Sequence, residues 1–155
     1  MLNKLYTTRG ETLAGTPWDI YPRPQMRRAS FLNLNGIWEL SVQGKDSPFS
    51  IRVPFCPESL LSGVNKHFTE GNTLLYKRKF RLTEGFNKGR VLLHVGAADQ
   101  IAEVHVNNKF IGRHQGGYTA FVFDITDALQ EENLLEILCT DDLRDISMPY
   151  GKQKA

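Results

Sequence analysis

The chain has 155 residues, of which 41% are hydrophobic and 23% are charged, and this is the composition of one ordinary soluble domain. Its net charge of +2 excludes the strongly basic surface with which proteins bind nucleic acids or anionic membranes. No apolar run approaches the roughly 18 residues that cross a bilayer, and the amino terminus has no apolar stretch of signal-peptide length, so we expect a cytoplasmic protein.

The first 30 residues are predicted to form an extended arm. Pro17, Pro22 and Pro24 lie too close together for a helix and interrupt the pairing of any strand. Bulky apolar side chains in the same stretch would stabilise the fold by packing on a neighbouring surface. They are Trp18, Ile20, Tyr21 and Met26. We therefore predict an arm over residues 1–30 that packs on a single β-sandwich over residues 31–155.

Apolar and polar side chains alternate from Leu34 onward. In segment 74–82, positions 74, 76, 80 and 82 are apolar and positions 77, 79 and 81 are basic, which predicts a strand with one buried and one solvated face. Arg78 falls on the apolar side, where it needs a carboxylate partner or must extend past the core to water. Similar alternation predicts strands near 36–43, 49–53, 90–95, 101–106, 109–114, 119–124 and 134–140.

Turn-forming residues separate these strands. Asn107 and Asn108 lie between two apolar stretches, and asparagine tolerates the positive φ that a two-residue hairpin requires. Residues 125–130 are predicted to form one short helical turn, capped by Asp124 or Thr126. Strands that recur at this short spacing indicate an all-β sandwich.

The two cysteines, Cys56 and Cys139, lie in or beside apolar stretches. The sequence offers no framework of regularly spaced partners for them. We therefore expect two buried free thiols rather than a disulfide.

The four histidines do not pair with one another at metal-ligand spacing. His67, His94 and His105 are therefore interpreted as structural or solvent-exposed, and we predict no metal site and no resident cofactor, although a structural cation stays open. His114 differs, because it precedes a double glycine and Tyr118 at a strand end, where loops carry function.

The densest acidic cluster follows the last predicted strand and consists of Asp141, Asp142 and Asp145. Three interpretations of it stay open, namely a solvated loop, a cation site built from oxygens, and polar contacts to sugar hydroxyls. Hydrolysis of a glycoside with retained configuration needs two carboxylates about 5–5.5 Å apart, and the spacing identifies no such pair. The residues alone therefore assign no reaction.

A series of short motifs follows along the chain. They are Tyr21-Pro22-Arg23-Pro24, Leu34-Asn35-Gly36-Ile37-Trp38, Val53-Pro54-Phe55-Cys56-Pro57-Glu58-Ser59, Tyr76-Lys77-Arg78-Lys79-Phe80, segments 90–99, 104–112 and 114–121, and Pro149-Tyr150-Gly151-Lys152-Gln153. In this order they resemble the opening of the family 2 glycoside hydrolases, the β-galactosidase and β-glucuronidase group. Asn108 stands where that family usually has glycine, and Ala120 where it often has proline.

The resemblance implies a jelly-roll β-sandwich of the galactose-binding type, the first domain of a longer enzyme. In such enzymes an immunoglobulin-like sandwich follows, and then a TIM barrel that carries both catalytic glutamates. Neither is present in these 155 residues, so we expect the chain alone to be inactive. The parent enzyme would be a retaining, β-galactosidase-like hydrolase of terminal β-glycosides and a homo-oligomer.

In relatives, loops of the first domain reach the barrel mouth and contact the terminal sugar. The resemblance gives five candidate substrate-binding residues: Asp141, Asp142, Asp145, His114 and Tyr118. One alternative is a free-standing carbohydrate-binding module, whose aromatic platforms would be Trp18 and Tyr118. A second alternative is a purely structural domain.

Two side chains are assigned to the interior of the sandwich. Trp38 alternates with Ile37 and Leu40 in a predicted strand, so we expect it to pack in the core. Arg78 is expected to pair with Asp99, since a buried guanidinium requires an acidic partner.

Overall fold

The computed structural model describes residues 6–13, 23–68 and 71–141 of the chain. Strands dominate these residues, and the helical elements are short: α1, Thr8–Glu11, and 3₁₀ turns at Pro24–Met26, Leu60–Ser62 and Thr126–Ala128. The strands are β1, Gly36–Val42; β2, Phe49–Val53; β3, Thr73–Phe80; β4, Leu92–Val95; β5, Ile101–Val106; β6, Lys109–Gln115; β7, Phe121–Asp124; and β8, Asn133–Thr140. The predicted all-β class is confirmed.

The strands form two antiparallel sheets. Six of them pair in the order β2-β1-β3-β8-β5-β6, and β4 pairs with β7. Side chains from both sheets meet in one hydrophobic cluster, so the two sheets are the layers of a sandwich. This is the β-sandwich expected for a galactose-binding-like domain.

The core follows directly from the period-two pattern. Almost no surface is exposed on Leu40, Ile51, Val104 and Leu135. Burial of one side chain of this size stabilises the folded state by about 1.5–3 kcal/mol. Trp38 is 7% exposed, as predicted, and its indole N–H donates to the carbonyl of Leu34 at 2.7 Å. The one polar atom of that large side chain is therefore satisfied.

The predicted asparagine hairpin joins β5 to β6. Asn107 and Asn108 have φ angles of 51° and 63°, the left-handed conformation expected for this turn. Asn107 also ties the hairpin to β8, because its Oδ1 accepts from the backbone N–H of Leu134 at 2.8 Å. Its Nδ2 donates to the Ala128 carbonyl at 2.8 Å and to Asn133 Oδ1 at 2.9 Å.

The predicted helical turn after β7 is the 3₁₀ turn at Thr126–Ala128. The Asp124 carboxylate accepts from the hydroxyl and the backbone N–H of Thr126, and from Arg90 Nε at 2.7 Å. These contacts, the Thr126 hydroxyl foremost, lower the pKa of Asp124 to about 2. Asp124 is therefore the side chain that holds the start of the turn.

Arg78 lies on the inner face of β3, but the expected pairing with Asp99 is wrong. Arg78 is opposite Leu135 of β8, whereas Asp99 precedes β5, whose first residue pairs with Thr140. Five residues of β8 separate these positions, about 17 Å at the usual rise of a strand, and a guanidinium cannot span that distance. It donates instead to the backbone carbonyl of Ile37 on β1.

Two burial predictions also need correction. Both cysteines are free, but Cys56 is exposed, because it lies in the loop after β2 rather than in a strand. Cys139 is on β8, and burial raises the pKa of its thiol to about 12. Met26, which we expected to pack on the domain, is 58% exposed.

The arm over residues 1–30 stays a prediction. Its apolar residues Trp18, Ile20 and Tyr21 lie outside the described residues. The described part of the arm contains α1, whose Thr7 side chain accepts from the backbone N–H of Gly10 at 3.1 Å. A short helical turn therefore interrupts the extended conformation expected there.

Candidate functional site

One end of the sandwich brings the predicted loops together. Ile101, the first residue of β5, pairs with both Gln115 of β6 and Thr140 of β8. The loop that follows His114 and β6 and the segment that begins at Asp141 therefore leave the large sheet at the same end, on either side of β5. We call this end, formed by the start of β5 and the ends of β6 and β8, the loop end.

His114 is held in one orientation by three contacts. Its Nε2 lies 3.2 Å from the Gly116 carbonyl and 3.0 Å from Thr119 Oγ1. Its ring stacks on Phe121 with centroids 4.3 Å apart and planes 21° apart. Because a carbonyl only accepts, the contact with Gly116 is a hydrogen bond in the tautomer that carries its hydrogen on Nε2. These contacts stabilise the loop.

Gln100 also holds the loop that follows β6. Its side chain is 4% exposed, and its Oε1 accepts from the backbone N–H of Gly117 at 3.0 Å. Its carbonyl accepts from the N–H of Gly116 at 2.8 Å. One buried residue thus holds two consecutive amides of the loop. The sequence analysis missed Gln100, since a glutamine before a strand has no distinguishing pattern.

Asp99 lies against Gly117. A Cβ built on Gly117 would be 1.9 Å from Asp99 Oδ1 and 2.4 Å from its Cγ, far inside van der Waals contact. Only glycine lets the loop approach this carboxylate so closely. The double glycine noted in the sequence is therefore explained in part by packing against Asp99.

Tyr118, at the tip of the loop, is 64% exposed. An exposed aromatic ring on a braced loop offers a flat apolar face for stacking, and its hydroxyl offers a polar contact. The sequence prediction of Tyr118 as a candidate binding residue is compatible with this position, but no contact in the chain tests it.

Asp141 follows β8 at the loop end and is partly buried. Its carbonyl accepts from the backbone N–H of Gly71 at 3.2 Å, which joins it to the segment that precedes β3. Asp142 and Asp145, the other two members of the predicted acidic cluster, lie outside the described residues. Of the five predicted residues, His114, Tyr118 and Asp141 therefore lie at the same end of the large sheet.

A wide groove lies away from the loop end. It has a volume of about 700 Å³ and lies between α1 and the outer face of β1 and β2, where Ile37 and Arg52 point outward. It contains none of the predicted site residues. We therefore base the candidate site on the braced loops rather than on this wide, open groove.

The described residues show neither a metal centre nor a membrane span. Across 6–13, 23–68 and 71–141, no group of three or more histidine, cysteine or acidic residues could hold a metal ion. Over the same stretches, no helix is long and apolar enough to cross a membrane.

Comparisons with known proteins agree on one family. The family described as glycosyl hydrolase 2 galactose-binding domain-like matches residues 58–149. A β-galactosidase of Thermoanaerobacter pseudethanolicus is 35% identical over 63 residues, which are 41% of this chain and 8% of that protein.

Solved structures have the same fold. A β-D-mannosidase of Dictyoglomus thermophilum has a TM-score of 0.61 and 25% identity over 70% of this chain and 15% of its own. A β-glucuronidase of Bifidobacterium dentium has a TM-score of 0.56 and 28% identity over 69% of this chain and 19% of its own. The chain thus spans less than a fifth of the length of these relatives.

Proposed function

Because the chain belongs to glycosyl hydrolase family 2 through its galactose-binding-like domain, we propose that it is the amino-terminal accessory domain of a hydrolase of terminal β-glycosides. In this proposal its loops contact the substrate, and the catalytic carboxylates come from another domain. The observation that carries the proposal is the loop end, where a braced loop presents an exposed aromatic ring at the same end of the sheet as Asp141.

The residues of the loop end suit recognition of sugar hydroxyls. The Tyr118 ring supplies a stacking face, and Asp141 supplies oxygens that accept hydrogen bonds from hydroxyl groups. His114 and Gln100 act as positioning residues, since their hydrogen bonds hold the loop. A site that hydrogen-bonds substrate hydroxyls discriminates strongly against analogues that lack them, so such a domain sets specificity without performing chemistry.

The reaction itself needs groups from outside this domain. Retaining hydrolysis uses one carboxylate as nucleophile and a second as acid and then base, about 5–5.5 Å apart. We propose that a TIM barrel, reached through an immunoglobulin-like sandwich, supplies this pair in the complete, homo-oligomeric enzyme. The substrate we propose first is a terminal β-galactoside, supported by the similarity to the Thermoanaerobacter β-galactosidase.

Activity assays of two proteins test the proposal. We expect no turnover of nitrophenyl β-galactoside, β-glucuronide or β-mannoside by the purified 155-residue chain, and turnover of at least one of them by the protein encoded by the complete reading frame. The proposal fails if the 155-residue chain hydrolyses a glycoside and a point substitution within it abolishes that activity. It also fails if the complete protein contains no barrel.

A free-standing carbohydrate-binding module is the second candidate. The exposed ring of Tyr118 favours it, because such modules stack aromatic side chains on sugar faces. Calorimetric titration of the 155-residue chain with galactose and β-linked oligosaccharides separates the two functions. Binding that Tyr118→Ala abolishes supports a module, whereas an accessory domain binds these neutral sugars only together with the catalytic domain.

A further inference from the structure

A small pocket with a positive rim lies beside the loop end. It has a volume of about 180 Å³ and opens between the end of β1, the start of β2 and the segment before β3. Lys45, Lys66 and His67 supply its nitrogen donors, and Phe49 and Phe68 supply its aromatic wall. None of these residues belongs to the site described above.

The aromatic wall holds one of the lysines in place. The Lys66 ammonium lies 4.9 Å from the centroid of the Phe49 ring and 5.6 Å from that of Phe68. The two rings contact each other edge to face, with centroids 5.8 Å apart and planes at 80°. Cation–π contacts attract the ammonium without neutralising its charge. Lys66 is therefore positioned against the aromatic wall of the pocket.

The positive charge of the rim has no acidic partner in the described part of the chain. The ion pairs there join Lys77 to Glu136, Arg81 to Glu131, Arg90 to Asp124 and Arg113 to Glu103, and none includes Lys45 or Lys66. Asp46 follows Lys45 in the chain but does not line the pocket. Two uncompensated ammonium groups, with an imidazole N–H beside them, favour an anion.

The size of the pocket limits its occupant to one small ring or group. A cavity of about 150 Å³ accommodates benzene, whereas pockets for larger organic ligands measure about 300–1,000 Å³. A space of about 180 Å³ therefore suits one sugar ring and its substituent.

The pocket opens at the same end of the sandwich as the substrate loops. Asn72 lines it, and the preceding residue, Gly71, donates its N–H to the carbonyl of Asp141 at 3.2 Å. Only one residue of chain thus separates the pocket wall from the candidate site. A glycan that contacts Asp141 with one sugar unit lies within reach of the pocket with a neighbouring unit.

We propose that this pocket is an accessory subsite for an acidic substituent, a carboxylate or a sulfate ester, on a sugar unit of the substrate glycan. That the ligand is a glycan rests on the proposed function. That its substituent is acidic rests on Lys45, Lys66 and His67. It concerns a unit outside the reaction centre, so it does not specify which glycosidic bond is cleaved.

Titration of the 155-residue chain tests the subsite directly. The ligands are methyl β-D-glucuronide, glucose 6-sulfate and, as the neutral control, methyl β-D-glucoside, with sodium acetate and sodium sulfate as free anions. We expect saturable binding of an acidic sugar, at least about five-fold tighter than the neutral sugar and the free anions. Binding weakens as salt rises from about 0.05 to 0.5 M, because ions screen the rim. Preference for the carboxylate or the sulfate identifies the group.

Charge-removing variants locate the binding. Lys66→Gln and Lys45→Gln each weaken binding of the acidic sugar by about two- to five-fold, the range for loss of one exposed charge contact. Lys88→Gln removes the same charge from an exposed loop and leaves the affinity unchanged. Lys45 does not contact the aromatic rings, so Lys45→Gln remains informative if Lys66→Gln disturbs the fold.

Equal binding of acidic and neutral sugars overturns the subsite, and so do equal losses in all three lysine variants. Tighter binding of acetate or sulfate than of either acidic sugar also overturns it, since the pocket would then recognise free anions. Failure of the proposed function is distinguishable, because it shows as missing turnover of neutral nitrophenyl glycosides by the complete protein, which does not depend on Lys66.

Discussion

Replacement of Gly117 by alanine perturbs the loop end at its tightest contact. The new Cβ would be 1.9 Å from Asp99 Oδ1 and 2.4 Å from its Cγ, whereas ordinary contacts lie at 3.4–4 Å. The loop or the carboxylate must move by more than 1 Å, and Gln100 already holds the loop through two backbone amides. Overpacking of this kind costs about 1–3 kcal/mol. For a chain of this size the melting temperature falls by about 2–4 °C per kcal/mol.

Urea unfolding followed by tryptophan fluorescence measures this loss. Gly96→Ala is the matched control, because no atom lies within 4 Å of its built Cβ, and it stays within about 0.5 kcal/mol of the parent. Asp99→Gly, combined with Gly117→Ala, removes the clash, so the double variant shows a favourable coupling of about 1 kcal/mol or more. Equal stabilities of Gly117→Ala and Gly96→Ala would refute the reasoning.

Three further predictions concern stability and reactivity. Asn107→Gly lowers the free energy of unfolding by about 2 kcal/mol, because it deletes three hydrogen bonds. The control Asn108→Gly keeps the turn, and its free energy of unfolding stays within about 0.5 kcal/mol of the parent. Equal urea midpoints for the two variants would contradict this prediction. A thiol reagent labels the exposed Cys56 in the folded chain but labels Cys139 only after unfolding, since burial raises the pKa of the Cys139 thiol to about 12. Reaction of both thiols before unfolding would contradict this prediction. The pKa of Asp124 is lowered from 3.8 to about 2, so its carboxylate stabilises the fold above about pH 4 and loses that contribution as the pH falls towards 2. Asp124→Asn flattens the stability profile in this window, and an unchanged profile would argue against the cause assigned.

The strands could be predicted from the sequence because their signals are local. Alternation along 74–82 and the two asparagines at 107 and 108 each concern neighbouring residues, and the structure confirms a strand, over Thr73–Phe80, and the asparagine turn. The loop between His114 and Tyr118 could be predicted for the same reason, since a double glycine beside a strand end is visible in the chain itself.

The remaining features depend on which strands become neighbours. The register between β5 and β8 places Arg78 far from Asp99. Gln100, just before β5, contacts the loop at Gly117. No local pattern contains that register. Cys56 was misjudged because apolar neighbours indicate burial only within a strand or helix, and it lies in a loop. The positive pocket was missed because its lysines come from two segments that meet only in the folded chain.

The kinetics of Tyr118→Ala in the complete enzyme test the central claim most directly. If the loop end contacts substrate and contributes nothing to the chemical step, kcat/KM falls about ten-fold or more through a higher KM, while kcat stays within about two-fold. Val122→Ala, a substitution at another exposed apolar residue of the sandwich, is the control and leaves both constants unchanged. Unaltered constants for Tyr118→Ala would contradict the account and favour a purely structural domain.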